Sequence, residues 1–195
     1  PAVQARKRGQ TIAYEAAPEA SAPSELVGSS PSTDFDWPEP NTGKLYANSD
    51  VQGDKLDNPL AGLRWINGSQ RPDTEGKVLV IDFWASWCGP CKRFSPRLDA
   101  MQKKFDGEVV AVAIAGQREN LEKVETYLKT TDHSYADAFD GEQRLHKSIR
   151  VAAIPHVVIL SSDGVVRWQG FPGNADFEGI LEQVVLADRA MRSDE

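Results

Sequence analysis

Apolar positions divide this chain unevenly. Residues 1–57 carry mostly Ala, Pro, Ser, Glu, Asp, Gly and Asn with scattered apolar residues, as in E-A-A-P-E-A-S-A-P-S-E-L-V-G-S-S-P-S at 15–32. Such a segment buries too little apolar surface to offset the entropy of ordering it, so 1–57 is expected to be a flexible polar linker or tail. Apolar residues return at Asn58, which marks the expected boundary of a single domain spanning 58–195. Leu63, Trp65 and Ile66 predict a short strand ahead of an Asn67-Gly68 turn.

Beyond that point the pattern switches regularly between strand and helix periods. The run V-L-V-I-D-F-W at 78–84 reads as a buried strand that feeds the first turn of a helix at W-C-G-P-C-K, 87–92. Phe94, Leu98, Met101 and Phe105 recur at helical spacing, with Pro96 as a kink and Gly107 closing the helix. The run V-V-A-V-A-I-A at 109–115 suits a strand covered on both faces of a parallel sheet. Leu121, Val124 and Leu128 mark an amphipathic helix, 135–139 a weaker strand, and 142–149 a short helix. Residues 156–160 and 165–169 form a hairpin around Asp163-Gly164. Phe177, Ile180, Leu181, Val184 and Val185 describe a terminal helix capped by Asn174 or Asp176. The order β-α-β-α-β-α-β-β-α predicts an α/β architecture with helices on both faces of a central sheet.

Composition narrows the chemistry. The chain has 195 residues, 40% of them hydrophobic, with a formal charge of −7. That balance does not suggest a surface for tracking phosphates, so no nucleic-acid partner is expected. No apolar run reaches the roughly 18 residues of a membrane helix; a signal or membrane tether could lie upstream of Pro1. With only two cysteines, Cys88 and Cys91, a scaffold of disulfides is impossible and the pair must serve chemistry or a metal. A lone Cys-x-x-Cys is weak for zinc, and His133, His146 and His156 lack paired spacing, so neither metal nor cofactor is expected.

At a helix start, residues i and i+3 share a face, so Cys88 and Cys91 can bridge reversibly. Free N–H groups and the helix dipole would stabilise a Cys88 thiolate, the attacking species. Pro90 is tolerated in a first turn, and Gly89 lets another chain approach the sulfur. Asp82, inside an apolar strand, would be costly to bury charged; its pKa should rise toward the range in which it can accept and return a proton.

The stretch W-A-S-W-C-G-P-C-K resembles the active-site signature of the thioredoxin superfamily, and Ile154-Pro155 resembles its cis-proline loop. The resemblance covers about 58–188. An extra helix-strand unit at about 121–139 and the polar N-terminal extension look most like the TlpA/ResA-like thiol-disulfide oxidoreductases. The resemblance implies a thioredoxin-like fold with a central mixed sheet, helices on both faces, this insertion and a flexible N-terminal extension. It also implies Cys88 as the exposed nucleophile, Cys91 as the buried resolving thiol, Asp82 as the acid that assists proton transfer, and a cis Pro155 that sets the Ile154 backbone opposite the sulfurs. Trp87, Gly89 and Pro90 would join Ile154 and Pro155 in binding substrate.

The implied activity is protein-disulfide reduction through a mixed disulfide, Gly89-Pro90 being the reducing-type dipeptide. The alternatives are an oxidase or isomerase, or a peptide-binding module with a static disulfide. Implied partners are a protein or peptide disulfide and an upstream dithiol donor, with a monomer in an extracytoplasmic compartment, the bacterial periplasm or cell envelope. Two departures stand out: Ala113 or a neighbour occupies the position of a buried lysine in thioredoxins, and the acidic residue that some relatives carry in or just after the cysteine motif is missing. Trp84, Phe83, Trp168 and Phe171 are expected to pack, with a peptide groove as the alternative for Trp168 and Phe171, and His156 to lie at the surface or in a hydrogen bond.

Overall fold

The computed structural model describes residues 35–173 and 176–194, and before them only the backbone of 4–5 and 11–12. Two-residue strands β1 (Gln4–Ala5) and β2 (Thr11–Ile12) pair in parallel with β3 (Ser49–Asp50) and β4 (Lys55–Leu56). The main sheet comprises β5 (Arg64–Ile66), β6 (Val78–Trp84), β7 (Val109–Ala115), β8 (Ala136–Phe139), β9 (His156–Leu160) and β10 (Val166–Gly170), in the order β10-β9-β6-β7-β8-β5. The helices are α1 (Gly89–Lys104), α2 (Leu121–Leu128), α3 (Arg144–Ile149) and α4 (Phe177–Ser193). The fold is thioredoxin-like: β6, β7 and β8 run parallel, whereas β5, β9 and β10 run against their neighbours.

β6 lies at the centre because all seven of its residues are buried. A strand that is apolar on both sides needs cover on both faces. Val78, Val80 and Trp84 pack with α1, α2 and α4 through Phe94, Leu98, Leu128 and Phe177. Leu79, Ile81 and Phe83 pack on the opposite face with Leu145 and Ile149 of α3. The insertion appears as α2 and β8, as expected. α1 continues through Pro96 and ends at Phe105, with Gly107 at φ 81° in the turn beyond.

Packing does not start at Asn58. Leu45, Ala47, Val51 and Leu56 are buried, and Val51 and Leu56 pack with Leu60, Leu63 and Leu160 on the α3 face. The Gly53 N–H donates to the Val166 carbonyl, the Val166 N–H to Asp54, and the Leu56 N–H to Gly164. A segment poor in apolar residues is fixed because its few apolar side chains and its backbone find partners more than a hundred residues away. Of the expected linker, 1–3, 6–10 and 13–34 lie outside the described residues. So does Asn174; Asp176 caps α4, its side chain accepting from the Gly179 N–H.

Two buried polar groups lie beneath the loop that carries Pro155. Asp140 accepts the N–H groups of Arg144, Leu145 and His146, and pairs with the His146 ring at 2.9 Å. It thereby satisfies the start of α3, whose N-cap Gln143 makes no side-chain cap. His156 is 0% exposed, not at the surface. Burial above all, with repulsion from His146, pushes its pKa down to about 4, against an opposing effect of the Leu45 backbone.

Below its ordinary pKa of 6.5, His156 in the unfolded chain binds a proton that the folded chain refuses until about pH 4. Stability present above pH 6.5 is therefore lost as pH falls through this window, by about 3 kcal/mol. Urea denaturation of wild type and His156→Leu between pH 4 and 7 should show that much extra acid loss in wild type alone; parallel curves would contradict it.

Candidate active site

The chain leaves β6 at Trp84, turns through 85–87 and enters α1 at Gly89. Cys88 is the N-cap, in extended conformation at φ −84° and ψ 99°. Its N–H donates to the Ala85 carbonyl at 2.9 Å, which fixes the turn. Its Sγ accepts the Cys91 N–H at 3.2 Å, as a serine or aspartate oxygen does at an ordinary cap. Pro90 sits in the first turn, where its missing N–H leaves no intrahelical bond unmade. The first turn carries no acidic residue, so the positive end of the helix is free to stabilise charge on the capping sulfur.

Cys88 and Cys91 form a disulfide with their Cα atoms 5.3 Å apart. Cys91, one turn into the helix, is 2% exposed, as a resolving thiol should be. Cys88 is only 3% exposed, contrary to the exposed nucleophile expected. Its side chain is turned inward, onto the Cys91 N–H and Cys91 sulfur, and the outer surface belongs to its neighbours. Trp87 is 56% exposed, and Gly89 and Pro90 are exposed.

The Ile154–Pro155 peptide bond is cis. Pro155 and Pro90 border one surface hollow together with Arg93, Phe94, Phe171 and Pro172. The loops that frame the disulfide thus come from opposite ends of the domain. Trp168 is buried in the core as expected. Phe171 instead borders the hollow and stacks on Tyr46, ring centroids 4.9 Å apart. That is the groove-lining alternative for Phe171; its stacking partner Tyr46 belongs to the segment that composition assigns to the linker.

Behind the disulfide, a cavity of about 20 Å³ is bordered by Cys91, Asp82, Ser95, His133, Tyr135 and Asp137. That is room for about one water molecule. Asp82 is 2% exposed, and its Oδ1 has no hydrogen-bond partner among the described residues. Burial pushes its pKa up to about 8. A carboxyl neutral at pH 7 and ionised a little above it can hold or take a proton where thiols exchange theirs. Of the residues singled out from sequence, Cys88, Cys91 and Asp82 converge here, Pro90 and Pro155 meet at the hollow, and Ile154 packs against the core beside them. His133, Tyr135 and Asp137 were not anticipated: they follow the inserted helix in a stretch with no motif.

Residues 76–166 match the family model described as Thioredoxin-like. The chain is 27% identical over 113 residues to the thioredoxin-like protein YneN of Bacillus subtilis, covering 56% of this chain and 66% of the relative. It is 23% identical over 124 residues to the thiol-disulfide oxidoreductase ResA of the same organism, covering 63% and 69%. The chain thus spans about two thirds of the length of these relatives. Among solved structures, a Chlorobium tepidum protein assigned as the thiol:disulfide interchange protein DsbE superposes with a TM-score of 0.52 at 28% identity, over 60% of this chain and 82% of that one. The chain thus carries a thioredoxin-like domain matched over residues 76–166, and its curated relatives include thiol-disulfide oxidoreductases and thioredoxins.

Proposed function

We propose that this protein is a protein-disulfide reductase. The observation that carries the reading is a Cys88–Cys91 disulfide at the start of α1, with Cys91 facing a cavity that the buried Asp82 also borders. In the dithiol form, the Cys88 thiolate attacks one sulfur of a substrate disulfide; a Cys88–substrate bond forms and the other substrate sulfur leaves as thiolate. Cys91 then gives its proton to Asp82 and attacks the Cys88 sulfur. The internal disulfide closes, and the second substrate sulfur leaves and is protonated. Two electrons pass from the Cys88–Cys91 dithiol to the substrate, and an upstream dithiol donor restores them.

Burial of Cys88 supports a route in which an incoming peptide lies in the hollow between Pro90 and Pro155 rather than meeting a bare sulfur. Trp87 shields the outer side, Gly89 leaves room for a second backbone, and Ile154 and Pro155 present the opposite wall. The TlpA/ResA-like resemblance favours an extracytoplasmic monomer, in the periplasm or cell envelope. Among the described residues, no helix is long and apolar enough to cross a membrane.

Three measurements test this reading. Cys91→Ser should accumulate a mixed disulfide through Cys88, visible by mass spectrometry after incubation with a peptide disulfide and absent from the Cys88→Ser variant; no adduct would leave a static disulfide. The reduction potential should fall nearer the value of about −270 mV of thioredoxin than the value of about −120 mV of DsbA; a potential close to the latter would make the protein an oxidant.

Asp82→Asn should slow resolution near neutral pH. It should also stabilise the fold at high pH. Because the folded pKa of Asp82 lies above its unfolded value, the stability it contributes is whole below about pH 4 and is lost as pH rises toward 8, on the order of 5 kcal/mol. Thermal melts at pH 5 and pH 9 should show the asparagine variant gaining on wild type far more at the higher pH. An unchanged rate would remove Asp82 from the mechanism.

A further inference from the structure

We propose that Asp137, contributed by the inserted unit, is a second carboxylate coupled to Asp82 across the cavity beside Cys91, and that its charge governs when Asp82 can accept the Cys91 proton. The inference rests on the reading of Asp82 as that acceptor. It starts from strand register: Asp82 is paired with Ala113 in the β6–β7 ladder, and Ala113 with Asp137 in the β7–β8 ladder. Residues level with each other in parallel strands point to the same face, so the two carboxylates flank one alanine on the face that carries α1. Two strand spacings put their Cα atoms roughly 10 Å apart. The methyl group of Ala113 leaves the space between them open, and both acids border the cavity.

Asp137 is 1% exposed and is held from two sides. The His133 Nε2 lies 3.0 Å from its Oδ2, and the Asn67 Nδ2 donates to the same oxygen at 3.1 Å. Both groups therefore meet the same oxygen, Oδ2, and leave Oδ1 without a partner among the described residues. With Nε2 donating, His133 keeps Nδ1 as an acceptor that has no partner among the described residues. The His133 ring stacks on Tyr135 at 3.9 Å, and the Tyr135 hydroxyl meets Ser95 Oγ at 2.5 Å. Ser95 lies one turn beyond Cys91 on α1. Burial first, and then the charges of Asp82, Asp137 and Asp99, raise the Tyr135 pKa against the lowering effect of the Ser95 hydrogen bond. Tyr135 therefore stays neutral while sensing both acids.

Besides His133, Tyr127 and Lys92 border the same space. Tyr127 of α2 is a phenol whose pKa burial raises. Among the described residues, Lys92 is the only lysine or arginine that borders the cavity, and its ammonium is held over the Tyr127 ring 4.2 Å from the centroid. At roughly 10 Å and an effective dielectric near 20, one unit charge moves a neighbouring carboxyl by about one pH unit. Asp137 acts on the reaction through Asp82; it is a positioning residue that touches no substrate. During resolution the Cys91 S–H bond breaks and its proton goes to Asp82. The Cys91 thiolate forms a bond to the Cys88 sulfur, the Cys88–substrate bond breaks, and the substrate leaves as a thiolate that takes up the released proton.

The test is the pH profile of peptide-disulfide reduction by the full chain, read together with carbon-13 NMR titration of the Asp82 carboxyl. Asp137→Asn should move the acid limb of the profile and the Asp82 titration down by about one pH unit. In an Asp82→Asn background the same substitution should move neither the limb nor the rate. A loss of packing alone would lower the melting temperature and leave the Asp82 titration in place, and that result overturns the inference. So does an equal shift in both backgrounds. If Asp82→Asn alone leaves the rate unchanged, the reading of Asp82 fails first; if it slows the rate and Asp137→Asn does not shift the profile, only the coupling fails. Asp137→Ser, smaller and neutral, serves where the asparagine variant does not fold.

Discussion

The register of the central strand sets everything at the site. β6 is paired with β7 on one side and β9 on the other, and its side chains alternate between two dry faces. A slip of one residue would exchange those faces. Asp82 would move among Ile81's partners under α3, and Trp84 would leave α1. Since both faces are apolar, neither arrangement is favoured by burial alone; the ladders on either side and the covering helices fix the choice. The same register delivers Cys88 to the cap of α1, because the turn at 85–87 is too short to absorb a shift.

A buried, unpaired carboxyl is a standing cost to the fold, and the site carries several such costs. Asp82 lacks a partner for one oxygen, His133 has a ring nitrogen without one, and Asp137 leaves an oxygen unbonded. Some buried polar groups elsewhere are better served, although among the described residues both ring nitrogens of His156 and the His146 Nε2 lack a hydrogen-bond partner too. Asp140 uses its two oxygens on three backbone N–H groups and a histidine, and Gln169 bonds the Ser49 carbonyl. A site that must pass a proton to and from a thiol needs groups whose two forms are close in free energy, and full satisfaction by fixed donors would hold one form.

Local sequence carried the strands and helices well because their signals are local. The seven-residue runs of β6 and β7, the stripe Phe94-Leu98-Met101 and the cysteine spacing each follow from periodicity or from two residues at one turn. What escaped the sequence depends on contacts between distant segments. Residues 45–57 look like linker by composition, yet Val51 and Leu56 are buried against strands that lie more than a hundred residues later. The burial of Cys88 and of His156, and the stacking of Phe171 on Tyr46, have the same origin. His133 was set aside as a metal ligand for want of a paired cysteine or histidine; its actual partner is a carboxylate four residues on, brought under it by the start of β8.

Ala113 links what the sequence showed to what it concealed. Read alone, it marks a missing lysine, a position where a cation would favour the ionised form of Asp82. In the folded chain the neighbouring strand supplies the opposite charge one spacing further on, with a histidine bound to it. A lysine in place of Ala113 would draw both carboxylates into ion pairs and fill the cavity with its stem. Alanine keeps the space open and leaves the proton on Asp82 subject to the next acid along the row. The inserted helix and strand are therefore more than an enlargement of the sheet. They line the cavity with Tyr127, Leu128, His133, Tyr135 and Asp137, and so bring a second acid to the space behind Cys91.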